Sequence, residues 1–400
     1  MEVEKIKDLK IIFLSSFPPR FCGIADFCQN TIEAIYKVNR DVDVKVIAID
    51  EPNAPERNYP SIVKWKLLQE DLESYQKTAL WINHSGGDVL FVEHEYGIFG
   101  GFDGIFICEL LSKVKIPKVV FLHSLPVLKT AKKRKFRLEI VKKIAQNSQK
   151  LLVPSSLAKK VLIQELKIPQ NKVELVRHGG FALPFVEKKD REKLKKKYHL
   201  DKKFVILTYG LITQSKGIDF AIEAISTLKK DFPNIFYLVL GRPHPIHAQE
   251  KDKYYFASLQ KKVKNLKLQK NIKFIPKFLP QEVISDYLLL CDILLLPYLT
   301  HAQISSGVLA NGMCAGCCIV STPFPYAKEL LTSQRGFFIE FKNYFSIVQI
   351  LEKLIKNPEL IEKTRRNAYH FARSFTWEEM AKKCLKICYE IKKGFRKSSF

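Results

Sequence analysis

Residues 291–331 read CDILLLPYLTHAQISSGVLANGMCAGCCIVSTPFPYAKELL, and the fold is decided there. The run 293–296 has the length and composition of a strand buried on both faces. A polar loop follows and ends in Ser305-Ser306-Gly307. A small-residue helix over 308–315 and a second apolar strand over 318–321 come next, closed by Pro323. A strand that runs into Ser-Ser-Gly and a helix start leaves unpaired backbone N–H groups at its C-terminal edge, where open α/β sheets bind anions. A tight connection without a ligand has the same local pattern, so the other strand ends must be read beside it.

Upstream, a strand over 9–15 leads into Phe17-Pro18-Pro19-Arg20-Phe21-Cys22-Gly23-Ile24-Ala25-Asp26 and an amphipathic helix over 27–36. Strands over 44–49, 88–92, 119–122, 151–153 and 173–176 alternate with helices over 72–83, 129–143 and 157–166. The third strand exits into Glu93-His94-Glu95-Tyr96-Gly97, with further glycines at 100, 101 and 104 that allow close backbone approach. His94 and Glu95 can bind hydroxyls or exchange protons. The next strand ends in His123-Ser124, and a histidine at that edge lines the crevice of a parallel sheet. A charged stretch over 188–198 separates this series from a second one. Strands over 204–209, 235–240 and 272–275, helices over 219–228 and 281–290, and the opening stretch make up that series. Helices over 345–356, 358–374 and 377–392 close the chain. Two successive βα series predict two doubly wound α/β domains, 1–185 and 186–376, facing one another across a cleft.

Composition narrows the class. Four hundred residues exceed one hydrophobic core, and an apolar fraction of 46% is ordinary for a globular chain. No apolar run approaches the ~20 residues that span a bilayer. The opening MEVEKIKDLK lacks the apolar centre of a signal peptide, so a cytoplasmic location is expected. The formal charge of +25 comes mainly from lysine. No RNP, helix-turn-helix or zinc-finger pattern accompanies it, so nucleic acid is not an expected partner. The basic run Lys132–Arg137 is instead a candidate contact with an anionic membrane face. Of nine cysteines, Cys314, Cys317 and Cys318 lack the second half of a zinc site, and Cys384 and Cys388 fall one helical turn apart on an apolar face. Asp41 and Asp43 precede their strand and read as a turn rather than a metal site.

The ordered set Pro18-Pro19-Arg20…Gly23-Ile24-Ala25, His94-Glu95-Tyr96-Gly97, His123, Gly210…Lys216-Gly217 and Gln303…Ser306-Gly307 resembles the family-4 glycosyltransferases of GT-B fold, over nearly the whole length. The resemblance implies two Rossmann-like domains, with the final helix, 377–400, crossing back onto the first. It implies a retaining, metal-independent transfer of a hexose, without a cofactor, from a nucleotide-sugar to a hydroxyl of a glycan or lipid-linked acceptor. Gly23 and Gly210 then approach the donor phosphates, and His123 hydrogen-bonds the transferred sugar. Lys216 neutralises the diphosphate, and Ser306 and Gly307 meet phosphate or sugar oxygens. His94 and Glu95 stand on the acceptor side.

Three positions depart from the family pattern. Leu211 stands where an arginine is usual, and Gln303 and Asn311 stand where the family has two glutamates, for the sugar and for the ribose. Gln and Asn still hydrogen-bond hydroxyls but cannot act as carboxylate bases. These departures motivate the competing expectation of a non-catalytic GT-B protein that binds a sugar nucleotide or a partner.

Overall fold

A computed structural model describes residues 6–130, 133–243, 250–332 and 334–398. The chain divides into two compact units, one of Met1–Gly179 with Trp377–Phe400 and one of Gly180–Thr376.

The first unit runs β1 (Lys10–Ser15), α1 (Gly23–Val38), β2 (Asp43–Asp50), β3 (Val63–Leu68), α2 (Leu72–His84) and β4 (Val89–His94). It continues with α3 (Phe106–Lys113), β5 (Lys118–Leu122), α4 (Arg134–Gln146), β6 (Lys150–Val153), α5 (Ser156–Lys160) and β7 (Val173–Leu175). The seven strands lie parallel in the order β3-β2-β1-β4-β5-β6-β7. Every residue of β4 and β5 is buried, because helices cover both faces of the sheet. At the edge, β3 alternates, with Lys64 and Lys66 exposed. Lysines along an open edge hinder pairing with another chain.

The second unit runs α6 (Lys188–Lys197), β8 (Phe204–Tyr209), α7 (Ile218–Leu228), β9 (Ile235–Leu240), α8 (Glu250–Asn265), β10 (Ile272–Ile275) and α9 (Gln281–Leu290). Then come β11 (Ile293–Leu296), α10 (Gly307–Cys314), β12 (Ile319–Ser321), α11 (Pro325–Leu330), β13 (Phe337–Phe338), α12 (Tyr344–Lys356) and α13 (Pro358–Ala372). Its six strands are parallel in the order β10-β9-β8-β11-β12-β13. Apolar clusters fill both faces, one around Leu294, Leu309 and Phe324, the other around Ile222, Val239 and Leu351.

The last helix, α14 (Trp377–Ser398), belongs to the first unit and packs on α1. Met380, Ala381, Cys384, Leu385 and Cys388 form its buried stripe at the spacing of an amphipathic helix. Trp377 meets the edge of Phe27 in α1 at 5.1 Å.

Several boundaries differ from the sequence expectation. α1 begins at Gly23, so Gly23 to Asp26 form its first turn rather than a loop. Glu93 and His94 are the last two residues of β4, not the start of its exit loop. α4 begins at Arg134 rather than 129, and α14 runs past Lys392 to Ser398. Five elements, β3, α3, α8, α11 and β13, were not expected at all.

Candidate active site

In the first unit, β1 leaves the sheet through Ser16 to Cys22. Cys22 is the N-cap of α1 and makes no side-chain capping bond. The first-turn N–H groups are therefore not met by a cap, and Gly23 has open space where a side chain would stand. Arg20 fixes the loop from below. It donates to Ile49 O (2.8 Å) and Gln69 Oε1 (3.2 Å) and pairs with Glu51 (3.0 Å). Arg57 joins this buried network through Asp50 (2.7 Å) and Glu51. Burial pushes the Glu51 carboxyl up, but the hydrogen bond from Arg57 and the two guanidinium charges outweigh it and hold the group below its usual range. Sequence reasoning missed this network; the signal was Arg20 itself, a charged residue inside an otherwise apolar loop.

The ends of β4 and β5 bring His94, Glu95, His123 and Ser124 together. His123 follows the His94–Leu122 register pair, and its N–H donates to His94 O at 3.0 Å. Its ring stacks on Phe121 (4.7 Å between centroids) and meets the edge of Phe27 (4.5 Å), while Nε2 lies 2.7 Å from Glu93 Oε2. Burial lowers the imidazole pKa to about 4, against a smaller opposing effect of Glu95, and raises that of Glu93 well above the carboxylate range. Glu95 is partly exposed and accepts from Ser124 Oγ (2.7 Å) and Tyr96 N (2.9 Å). The expectation of an acceptor contact at His94 needs correction. Its ring is 0% exposed, stacked on Phe99 at 5.7 Å, and burial, then the neighbouring His123, lower its pKa to about 3. A ring enclosed by the strand's own neighbours cannot reach a bound hydroxyl.

In the second unit three segments converge at the carboxyl ends of β8 and β11. Gly210 ends β8 with φ 117°, and a Cβ there would stand 3.8 Å from Val308 in the first turn of α10. Gly217 closes the loop with φ 62°, and a Cβ on it would fall 2.1 Å from Pro297 O. Only glycine fits there. Leu299 N donates to Ser215 O at 2.8 Å, so the loop is latched to the exit of β11. Between these ties Lys216 sets its ammonium 3.8 Å from the ring centroid of Tyr298. Among the described residues it forms no ion pair. A cation held over an aromatic face, with no acid to neutralise it, is available to an anionic ligand.

Ser306 caps α10 by accepting from Leu309 N (3.3 Å), which leaves the N–H groups of Gly307 and Val308 at the helix start. Gln303 donates to Ser305 O (2.8 Å) within the same loop. Asn311 is partly exposed; its Nδ2 donates to the Tyr209 hydroxyl and its Oδ1 accepts from Phe181 N, both at 3.2 Å. Leu211 is half-buried beside the loop and supplies no charge.

The basic run is partly paired. Lys132 lies outside the described residues. Lys133 and Arg137 both pair with Asp103 (3.3 and 3.2 Å), and Arg134 pairs with Glu165, leaving Lys135 as the exposed cation of the run without a described ion pair. No described helix is long and apolar enough to cross a membrane. All nine cysteines are free, and no described group of His, Cys, Asp and Glu is placed to hold a metal ion.

No curated protein sequence matches this chain significantly. Residues 190–371 match the family described as Glycosyl transferases group 1. HepE from Anabaena, solved with UDP and glucose, is 15% identical and superposes with a TM-score of 0.74 over 96% of this chain and 100% of that one. Sucrose-phosphate synthase from Thermosynechococcus elongatus, also 15% identical, gives 0.76 over 96% and 99%. WaaG, a glycosyltransferase involved in lipopolysaccharide biosynthesis, gives 0.67 at 15% identity over 94% and 99%. The chain therefore has the two-sheet GT-B fold of these structures, and its second unit carries the sequence pattern of the group 1 glycosyl transferases.

Proposed function

We propose that the chain is a retaining, metal-independent glycosyltransferase of family 4 that moves a hexose from a nucleotide-sugar to a hydroxyl of a glycan or lipid-linked acceptor. Lys216 carries this reading: an ammonium without an acid partner, held between Gly210 and Gly217 on a loop that touches the start of α10. In the transfer, the bond from the anomeric carbon to the diphosphate oxygen breaks and its electron pair leaves with the diphosphate. A bond to the acceptor oxygen forms on the same face of the sugar, and the acceptor's proton goes to the departing phosphate. Lys216 and the N–H groups opening α10 stabilise the negative charge that grows on the diphosphate. Gly210 and Gly23 let backbone approach it. Gln303 and Asn311 serve hydroxyls of sugar and ribose, His123 holds the transferred sugar, and Glu95 orients the acceptor hydroxyl.

The UDP and glucose of the HepE structure make UDP-hexoses the first donors to try. The test is release of nucleoside diphosphate across a panel of nucleotide-sugars, with glycan and lipid-linked acceptors. Turnover of at least one donor is expected. Tight nucleotide binding with no release across the panel would overturn the transfer reading in favour of a sugar-nucleotide-binding protein.

A further inference from the structure

Glu93 occupies a position that the fold would ordinarily give to an aliphatic side chain. All six residues of β4 are buried, and Glu93 is 0% exposed. Strands covered on both faces are built from Val, Ile and Leu, and a carboxyl there costs stability unless both oxygens are met. Here only Oε2 is met, by His123 Nε2 at 2.7 Å. Oε1 has no hydrogen-bond partner among the described residues. The sheet thus tolerates an expensive group whose one bond is to the imidazole at the strand end. That imidazole is otherwise fixed by rings, Phe121 stacked and Phe27 edge-on, and no described residue bonds its Nδ1.

We propose that Glu93 is a positioning residue: its carboxyl O–H donates to Nε2 of His123, so the imidazole keeps its own hydrogen on Nδ1 and presents it to the ligand. The surroundings favour the neutral forms this needs, since burial raises the carboxyl and lowers the imidazole to about 4. The ionisable groups that interact with the pair include the thiols of Cys28 on α1 and Cys384 on α14, both raised by burial first and by Glu93 second or later, and Glu95 at the strand exit. The others are the rings of His94 and His178, which burial first and His123 after it hold neutral, with pKa values of about 3 and about 4. None brings a positive charge that would ionise the carboxyl. A neutral N–H donor in a fixed direction recognises a sugar hydroxyl, whereas an imidazolium would also attract the diphosphate and compete with Lys216 for it. This role for Nδ1 rests on the glycosyl-transfer reading; the pairing that sets the tautomer does not.

Two measurements on the full chain test it. Nitrogen-15 spectra, with His123 assigned by comparison with His123→Asn, should show Nδ1 protonated and Nε2 bare in the wild type. Glu93→Leu should shift the ring to the Nε2–H form, with a melting temperature equal to or above the wild type's because an unmet carboxyl has gone. With an active donor, Glu93→Leu should lower kcat about tenfold at a KM within about threefold. Glu93→Gln, whose amide N–H donates to Nε2 as the carboxyl does, should recover most of that loss. A wild-type ring protonated on Nε2, or full kcat in Glu93→Leu while His123→Ala loses it, would overturn the proposal. If the wild type turns over no donor, or His123→Ala keeps its kcat, the transfer reading has failed instead, and the spectra alone decide the pairing. Should Glu93→Leu not fold, the wild-type and Glu93→Gln spectra still decide it.

Discussion

Both units hold a largely buried carboxylate at the amino end of the sheet, Asp88 with Lys392 (2.8 Å) in the first and Asp292 with Lys195 in the second, but among the described residues only the first adds a buried ion network at its carboxyl end. In the first, Arg20, Glu51, Arg57 and Asp50 form a network at the carboxyl ends of β1 and β2, under the loop that opens α1. In the second, Asp292 precedes β11 and accepts from Lys195 (2.8 Å) and from Val205 N (2.7 Å) at the start of β8, at the amino end of the sheet. Arg191, also buried, stands between Asp292 (3.8 Å) and Glu362 (2.5 Å). At the carboxyl ends of β8 and β11 the described residues of the second unit place glycines, a capped helix start and Lys216, which has no described ion pair. The contrast has a physical sense. An edge that must receive a diphosphate is best kept free of carboxylates that would repel the ligand or neutralise its cation. In the first unit two guanidiniums and two carboxylates cancel beneath the loop, so that edge is braced without a net negative charge.

The largest effect should come from the unpaired cation. Lys216→Ala is expected to lower donor turnover by about 100-fold or more, as the loss of a charge aimed at the developing diphosphate does. The fold should persist, since the side chain's one described attachment is a cation–π contact worth about 0.5–2 kcal/mol. Diphosphate release beside a thermal melt checks both halves. Unchanged turnover would remove Lys216 from the donor site and erase the distinction between the two carboxyl edges.

A smaller effect sharpens the comparison of the two networks. Glu51→Ala removes the one carboxylate paired with Arg20 and leaves Arg57 only Asp50, and Asp292→Ala leaves Lys195 only the half-exposed Glu192 and Arg191 only Glu362. Each weakens a buried ion network and should cost up to about 3–5 kcal/mol. Only the first network underlies a strand-exit loop. At a temperature where both variants are folded, Glu51→Ala should lower kcat/KM about tenfold while Asp292→Ala stays within about twofold of wild type. Equal catalytic losses in the two would mean that position along the sheet carries no functional weight.

How far these features were legible in the sequence follows from burial. β1, β4, β5, β8, β9 and β11 are covered on both faces, and each contains a run of at least four apolar residues. β3 was hidden because an edge strand alternates: VKWKLL puts lysines at every second place, just after a proline-rich segment. β13 has two residues, too few for any period, and α11 starts at Pro325, two residues after the Pro323 that was read as closing β12, and spans only six residues. The start of α1 was placed too late because Cys22 is not a capping residue. In the site, the glycines stood out by their places at strand ends, and Lys216 through the family resemblance. The Glu93–His123 bond did not, since it joins residues 30 apart and exists only through the β4–β5 register. A carboxylate inside VLFVEH was the available sign of it.

The same uncapped start of α1 gives the smallest and cleanest test. Gly23 does not have a positive φ, and no atom lies within 4 Å of where its Cβ would be. Nothing in the packing of the first unit therefore requires glycine at this position. Gly23→Ala should leave stability unchanged or raise it by up to about 1 kcal/mol, because alanine loses less backbone entropy in a helix. If the helix start meets a donor phosphate, the added methyl stands between the N–H groups and the anion, and affinity for the nucleotide-sugar should fall several-fold while the melting temperature holds or rises. Gly210, by contrast, has a φ of 117° and would be strained by any side chain, so its replacement mixes folding with binding. A Gly23→Ala protein that binds donor as tightly as wild type would confine phosphate recognition to the second unit, and the open space at the start of α1 would then be no more than a surface turn.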